Sequence, residues 1–408
     1  MSETLTITAL AGKGDGLAES NGRPVFVPFT LPGETVEAVR EGDRGRVVSI
    51  IEPSAERRGA PCPHFGACGG CDLQHASEHF YADFKRDLVV GALRQKGIAA
   101  EVEPLDPCPP ASRRRAVFTA RRAGPRVVFG FHEAGSHRIA SIETCLVVVP
   151  EIEARLPLLR KLASLAIDRR RPLRLTATWT ASGLDVALAD AAPLKDDLRQ
   201  ALVTLALANR LARLSLGDEV LIEAQKPVID VDGVPVTPAP GGFLQAVAAS
   251  EAAMARLVTD HLAGCKSVAD LFCGIGTFAL RLARHSAVHA VESEAPALAA
   301  LDQAVRGARG LKPVTSERRD LFRRPLTAKE LARFEGLVFD PPRAGAEAQA
   351  GELARSHLRK IAAVSCNPVT LARDARLLLD GGFRLVRVVP VDQFLWSYHT
   401  EVVALFER

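Results

Sequence analysis

The chain has no apolar run of about 18 residues, the length a membrane-crossing helix needs. Its opening, Met-Ser-Glu-Thr-Leu, is acidic and lacks the basic-then-apolar pattern of a secretory leader. A cytoplasmic protein with no membrane partner is therefore expected. Net charge is also small: 52 Lys and Arg against 48 Asp and Glu leave +4. Without a secretory leader, the eight Cys do not suggest a disulfide framework, because cytosolic thiols stay reduced. Any pattern among them points instead to metal binding or catalysis.

What is present is an ordinary soluble composition, 47% apolar and 25% charged, in 408 residues. That length suits about two to four domains. The charge is unevenly placed. Arg113, Arg114, Arg115, Arg121, Arg122 and Arg126 form one acid-free cluster. Arg169, Arg170, Arg171 and Arg174 form a second, and Arg318, Arg319, Arg323 and Arg324 a third. One such run is usually a solvated face. Three in a near-neutral chain favour a polyanionic partner such as nucleic acid, since guanidinium groups grip phosphate bidentately.

Residues 1–55 read as short strands divided by Gly and Pro, at Leu5–Leu10, Pro24–Pro28, Glu34–Arg40 and Arg46–Ile51. This predicts a small OB-like β-barrel, an architecture that often binds single-stranded nucleic acid. Residues 56–240 are expected to form a central α/β domain. It opens with Cys62, Cys68 and Cys71, three thiols in ten residues with Gly69-Gly70 between. That density signals metal ligation, with His64, His75, Cys108 and Cys145 as options for a fourth ligand. The lack of a second Cys-x-x-Cys pair leans toward an iron–sulfur cluster over zinc. Ser77 should cap a helix running to Lys96, with Phe80, Phe84, Leu88 and Leu93 as its core stripe. Part of 75–110 is expected to pack with the third unit. A proline-rich boundary is read at 227–242.

From Gly241 to the end, strands alternate with helix-like stretches, at Ser267–Phe272, Val288–Glu292, Gly336–Asp340, Ile361–Cys366, Phe383–Pro390 and Glu401–Phe406. Ser250 is read as the cap of the first helix. The alternation predicts a Rossmann-like, mainly parallel sheet whose carboxyl edge holds the ligand. Five features stand at the ends of these strands. Asp270 precedes Gly274-Ile275-Gly276-Thr277-Phe278-Ala279, a glycine bend that lets a ligand approach the backbone. Glu292 ends the next strand, where a carboxylate can take a ribose diol. The bend fits both a dinucleotide and S-adenosylmethionine; Asp270 beside it leans toward the sulfonium ligand. Asp340-Pro341-Pro342-Arg343 is a stiffened loop presenting an acceptor and a cation. Cys366 sits where a strand gives way to Asn367-Pro368, either as a nucleophile or as a small buried hydrophobe. Glu401 stands after His399-Thr400 at a strand start, as a general base or as a solvated charge.

Together these motifs resemble the bacterial RNA (uracil-5-)-methyltransferase family, over nearly the whole chain. Gly12–Gly16, Val25–Pro28 and Leu31–Glu34 resemble its RNA-binding TRAM barrel. Phe243-Leu244-Gln245, Asp270–Phe278, Asp340–Gly345, Ser365–Pro368 and His399–Glu401 resemble its methyltransferase motifs in order. The Cys group resembles the 4Fe-4S motif of the 23S ribosomal RNA branch. The resemblance implies that Cys145 is the fourth cluster ligand. It implies that Gln245, Asp270, Gly274, Glu292, Asp320 and Asp340 line S-adenosylmethionine, with Cys366 as nucleophile and Glu401 as base. The activity it implies is methylation of uridine carbon 5 in unfolded or single-stranded 23S ribosomal RNA, by a monomer. The chemistry agrees: carbon 5 attacks an electrophilic methyl only after a thiolate adds at carbon 6. The sequence departs from the family at Val247, where the Phe-x-Gln-x-Asn motif has Asn, and at Phe394-Leu395-Trp396, where Phe-Pro is usual. Three alternatives stay open: a transfer RNA enzyme, a non-catalytic RNA-binding assembly protein and a nicotinamide-dependent oxidoreductase.

Overall fold

The computed structural model describes residues 2–168 and 171–408, so Arg169 and Arg170 of the second arginine cluster lie outside the described residues. Three large sheets follow one another along the chain. The first runs in spatial order Ser2–Thr6, Thr35–Glu41, Arg44–Glu52, Arg23–Val27, Gly16–Ser20 and Ala9–Leu10. Its first and last strands are two halves of one bent segment. At the bend the Ile7 amide donates to the Glu34 carbonyl (2.9 Å) and the Thr8 amide to the Leu17 carbonyl (2.8 Å). One segment thus joins both ends of the sheet. Strand alternation turns Leu5, Ile7, Ala18, Val25, Val27, Val36 and Ala38 into a single core.

The helix after the cysteine segment spans Glu78–Gln95, with the Ser77 hydroxyl accepting from the Phe80 amide at 3.2 Å. Its buried face differs from the expected stripe. Tyr81, Lys85, Val89, Ala92 and Leu93 are buried, while Phe80, Phe84 and Leu88 are half-buried. The reason is tertiary. Lys85 Nζ donates to Asp392 Oδ1 at 2.7 Å and to the Phe394 carbonyl at 3.1 Å, and the Tyr81 hydroxyl donates to Asp392 Oδ2 at 2.6 Å. A partner 307 residues away makes a buried ammonium tolerable. Val89, Ala92 and Leu93, with Ile98 and Val102, pack into the core of the C-terminal sheet.

The central seven-stranded sheet is built from Arg115–Ala123, Arg126–His132, Ile139–Ser141, Leu173–Thr180, Gly183–Ala189, Arg213–Leu216 and Glu219–Glu223. Helices Leu156–Ala166 and Asp196–Ala208 pack on its apolar face. The first arginine cluster is divided by this fold. Arg114 Nη2 pairs with Glu251 Oε2 at 2.6 Å, and Arg115 Nε donates to the Gly242 carbonyl at 3.0 Å. These two hold the central sheet against the C-terminal part, while Arg121, Arg122 and Arg126 remain exposed. In the third cluster, Arg319 is committed to Glu317 (2.6 Å) and Glu330 (2.7 Å). Fewer arginines than the clusters suggested are therefore available to an anionic partner.

The proline-rich boundary segment carries structure of its own. Ile229–Val231 and Val234–Val236 form a hairpin whose apolar residues join the C-terminal core beside Met254 and Val258. The third sheet contains β1 (Ser267–Leu271), β2 (Ala287–Glu292), β3 (Val314–Arg318), β4 (Gly336–Phe339), β5 (Lys360–Ser365), β6 (Arg384–Val391) and β7 (Glu401–Glu407). Their order is β3-β2-β1-β4-β5-β7-β6, parallel except for β7, which runs antiparallel to both its neighbours. β3 was not foreseen: Val-Thr-Ser-Glu-Arg is a polar edge strand with no fully buried residue. Ser250 does not cap its helix. Helix Ala248–His261 begins after Val247, and the Ser250 hydroxyl donates to the Asp392 carbonyl at 2.5 Å. Among the described residues, no helix is long and apolar enough to cross a membrane.

Candidate active site

Strand register brings the site together. Leu271 lies beside Phe339, and Phe339 beside Ala363, so the residues after β1, β4 and β5 emerge side by side. β7 enters where the others leave. Ser365 pairs with Val402, which sets Cys366 opposite Glu401 on neighbouring antiparallel strands. Asn367 then caps helix Pro368–Asp380 by accepting from the Val369 amide at 3.1 Å, and proline at its first position ends the strand cleanly. Asn367 Nδ2 and Thr370 Oγ1 both donate to the Arg343 carbonyl (3.0 and 3.3 Å). The Asp340–Gly345 loop is thereby fastened to the turn that follows Cys366.

A chain of amides links the two carboxylates. Gln245 Nε2 donates to Asp340 Oδ2 at 3.0 Å. Gln393 Nε2 donates to Gln245 Oε1 at 2.8 Å and to Glu401 Oε1 at 2.7 Å. Burial, followed by the negative charge of Asp340, pushes the Glu401 carboxyl up to about 8, while its Gln393 hydrogen bond and Lys85 pull the other way. Burial pushes Asp340 up to about 7 against its Gln245 hydrogen bond. Cys366 is half-buried, and burial together with the charges of Glu401 and Asp340 pushes its thiol up to about 12, opposed by Arg343. A thiolate at 366 is thus disfavoured until positive charge arrives or a carboxylate takes a proton.

The glycine bend stands at the same edge. Gly274 adopts φ +55° and a Cβ there would meet nothing within 4 Å, so its backbone faces open space. Gly276 adopts φ +95°, and a Cβ would lie 2.5 Å from Leu301 Cδ1, so packing forbids a side chain. Glu292 Oε2 accepts from the Gly274 amide at 3.0 Å, and Oε1 accepts from the Ser293 and Glu294 amides at 2.6 and 3.0 Å. Asp270 is fully buried and, among the described residues, neither carboxylate oxygen has a well-formed hydrogen bond, the Ala279 amide giving only a weak contact. Burial drives its pKa well above the usual range, with Asp340 and Glu292 adding to the effect and the Ala279 amide offsetting only part. Asp320 follows β3 and is exposed; its Oδ1 accepts from the Phe322 amide at 3.0 Å, beside the Phe272–Phe322 ring pair.

Cys62, Cys68, Cys71 and Cys145 line one cavity of about 420 Å³, which Phe394, Leu395 and His399 also line. Burial pushes Cys71 up to about 12 and raises Cys68 and Cys145. Of the other ligand options, His75 and Cys108 do not line this cavity. His64 lines it, but its Nε2 accepts from the Glu143 amide at 3.0 Å. Among the described residues, no three His, Cys, Asp or Glu side chains are close enough to hold a single metal ion.

The sequence profile of the family described as tRNA (Uracil-5-)-methyltransferase matches residues 185–408, more than half of the chain. The chain belongs to this family. A protein of Agrobacterium fabrum named an uncharacterized RNA methyltransferase is 51% identical over 100% of this chain and 99% of its own length. A Shewanella amazonensis protein named 23S rRNA (uracil(1939)-C(5))-methyltransferase is 31% identical over 99% of this chain and 95% of its own. The crystal structure of the Pyrococcus abyssi tRNA (uracil-54, C5)-methyltransferase in complex with S-adenosyl-L-homocysteine shares the fold, at 22% identity and TM-score 0.75, covering 99% of both chains.

Membership of the tRNA (uracil-5-)-methyltransferase family makes the chain an S-adenosylmethionine-dependent RNA methyltransferase. The oxidoreductase and the non-catalytic binder are set aside. The departures from the family pattern acquire structural reasons. Val247 is buried in an apolar cluster with Leu73, Tyr81, Cys108 and Leu395, where an Asn would be desolvated without a partner. Trp396 adopts φ +61°, its amide donates to the Tyr81 hydroxyl at 2.9 Å, and its carbonyl accepts from the Asp72 and Leu73 amides at 2.7 and 2.9 Å. Two participants escaped the sequence reading, Gln393 and the Lys85–Asp392 pair. The signal was there: Asp392-Gln393 is a polar doublet directly after an apolar strand, at the functional edge of the sheet.

Proposed function

We propose that this chain methylates carbon 5 of a uridine in RNA, with 23S ribosomal RNA as the substrate. The observation that carries the reading is Cys366 set opposite Glu401, with Asp340 on the adjoining strand end and the glycine bend two strands away. Cys366 adds to carbon 6 of the uracil ring, and the resulting enolate makes carbon 5 nucleophilic. S-adenosylmethionine, when bound, supplies an electrophilic methyl on a cationic sulfur. Glu401 then removes the carbon-5 proton, the electrons reform the 5,6 double bond, and the Cys366 thiolate departs. Each role suits its surroundings. A carboxyl raised to about 8 is a stronger base than an exposed one. A cationic ligand near Asp340 offsets the charge that now disfavours the Cys366 thiolate.

Gln245, Asp270, Gly274, Glu292, Asp320 and Asp340 would line the methyl donor. The weakly bonded Asp270 carboxylate and the open face of Gly274 suit a bound polar ligand. Cys62, Cys68, Cys71 and Cys145 would hold a 4Fe-4S cluster. Four thiols around one cavity are the donor set that such a cluster takes. The N-terminal sheet, closed by its bent segment, would act as a TRAM-like RNA-binding module. A paired uridine must first be exposed, so a loop or unfolded stretch is the expected target.

The test is methyl transfer to unmodified 23S ribosomal RNA and transfer RNA, with 5-methyluridine mapped in each. Cys366→Ala should abolish transfer while retaining S-adenosylhomocysteine binding by calorimetry. Undiminished turnover by Cys366→Ala would refute the nucleophile. 5-Methyluridine in transfer RNA alone would refute the 23S assignment.

A further inference from the structure

Amide orientation is usually ambiguous, because the oxygen and nitrogen of a Gln look alike. Here one backbone group resolves it. The Ala246 amide can only donate, and it donates to Gln393 Oε1 at 3.1 Å. The other end of Gln393 must therefore be its NH₂, which donates to Gln245 Oε1 and Glu401 Oε1. Gln245, having used its oxygen, must present its own NH₂ to Asp340. A single N–H of the backbone thus sets the orientation of two amides in series, each turned to donate to a carboxylate. Both carboxylates receive donors, and neither receives a competing acceptor.

Gln393 is itself immobile. It is 2% exposed. The residue before it is held by Lys85, Tyr81 and Ser250, and the Asp392 amide donates to the Asp106 carbonyl at 2.8 Å.

We propose that Gln393 is the positioning residue of the base: it holds one oxygen of Glu401 and leaves the other for the substrate proton. This rests on the reading of Glu401 as the base. By fastening Gln245 with the same NH₂, Gln393 also makes the orientation of the base depend on the residue proposed to face the methyl donor. Other groups facing Glu401 are Asp340 from the end of β4, Cys366 from the end of β5, and Lys85 from helix Glu78–Gln95, itself paired with Asp392. Arg343 bears on Cys366.

The experiment is the pH dependence of single-turnover methyl transfer for the full chain and for Gln393→Met, Gln393→Glu and Glu401→Gln. Gln393→Met removes the donor but keeps the volume. Losing a hydrogen bond to an ionised carboxylate should move the acid limb of its profile alkaline by about one pH unit or more. Gln393→Glu keeps the acceptor for Ala246 but adds a negative charge, so its limb should move further. Circular dichroism and S-adenosylhomocysteine binding report whether each variant folds. Folded Gln393 variants with slower turnover but an unmoved profile would overturn the proposal, because a packing role lowers the rate equally at every pH. So would folded variants with parental rates. If Glu401→Gln turns over normally, the base assignment fails first; if it is inactive while Gln393→Met is unaffected, this inference alone fails.

Discussion

Glu401→Gln separates the catalytic from the structural consequence of one buried carboxyl. The side chain is 4% exposed and its pKa is pushed from an ordinary 4.5 up to about 8. Gln at 401 can still accept from Gln393 Nε2, so the amide chain survives the change. Below about pH 4.5 the carboxyl is protonated in both the folded and the unfolded chain, and no linkage cost arises. As pH rises toward 8, the unfolded carboxyl ionises while the folded one does not. The parent therefore loses stability that the variant keeps, at about 1.4 kcal/mol per pH unit. Across the window the loss is on the order of a few kcal/mol, a sizeable part of a domain's stability. Above about pH 8 both states are ionised and the difference stays constant. The assay is thermal unfolding of parent and variant from pH 4.5 to 9, alongside methyl transfer. The variant should be inactive, should accumulate the covalent RNA adduct, and should gain on the parent by several degrees in melting temperature as pH rises. A melting difference that stays flat over this range would refute the reasoning, because the carboxyl would then titrate normally.

The same charge relation governs the thiol. With its pKa pushed up to about 12, Cys366 should alkylate slowly with iodoacetamide at pH 8, and Glu401→Gln should accelerate it by removing the nearest negative charge; equal rates would contradict the coupling. Lys85→Met strands Asp392 without its buried partner and should cost about 3–5 kcal/mol in denaturant unfolding, with Lys85→Met/Asp392→Asn recovering part of it. A loss below about 1 kcal/mol would show the pair to be dispensable. Anaerobic purification should yield a brown protein with visible absorbance that Cys145→Ser diminishes; a colourless, zinc-loaded protein would rule out the cluster. Gly276→Ala should lower the melting temperature more than Gly274→Ala, since only the former drives a methyl into Leu301, whereas Gly274→Ala should be the one that impairs S-adenosylhomocysteine binding in calorimetry; the reverse order in either assay would count against the bend as described.

Residues 267–272, 288–292, 336–340 and 361–366 were legible as strands because buried parallel strands are near-continuous apolar runs. The Cys366, Asp340 and glycine-bend positions followed from where those runs stop. Harder to see was anything whose partner is remote in sequence. Lys85 reads as a surface residue until Asp392 arrives, and Arg114 and Arg115 read as phosphate ligands until Glu251 and Gly242 claim them. β3 carries too little apolar content to announce an edge strand. The hairpin at 229–236 was hidden among prolines, although Asp232 and Gly233, both at positive φ, make its turn.

Local chemistry in the sequence determined which side chains could act: one thiol after a strand, carboxylates at strand ends, glycines where a backbone must bend. It could do so because strand ends and turns are encoded by neighbours a few residues apart. Tertiary structure alone decided how those groups are held and charged. Pairing of β5 with β7 sets Cys366 against Glu401, and burial raises both. Gln393 acquires its place because register and burial, unlike strand ends, depend on contacts between segments 148 residues apart.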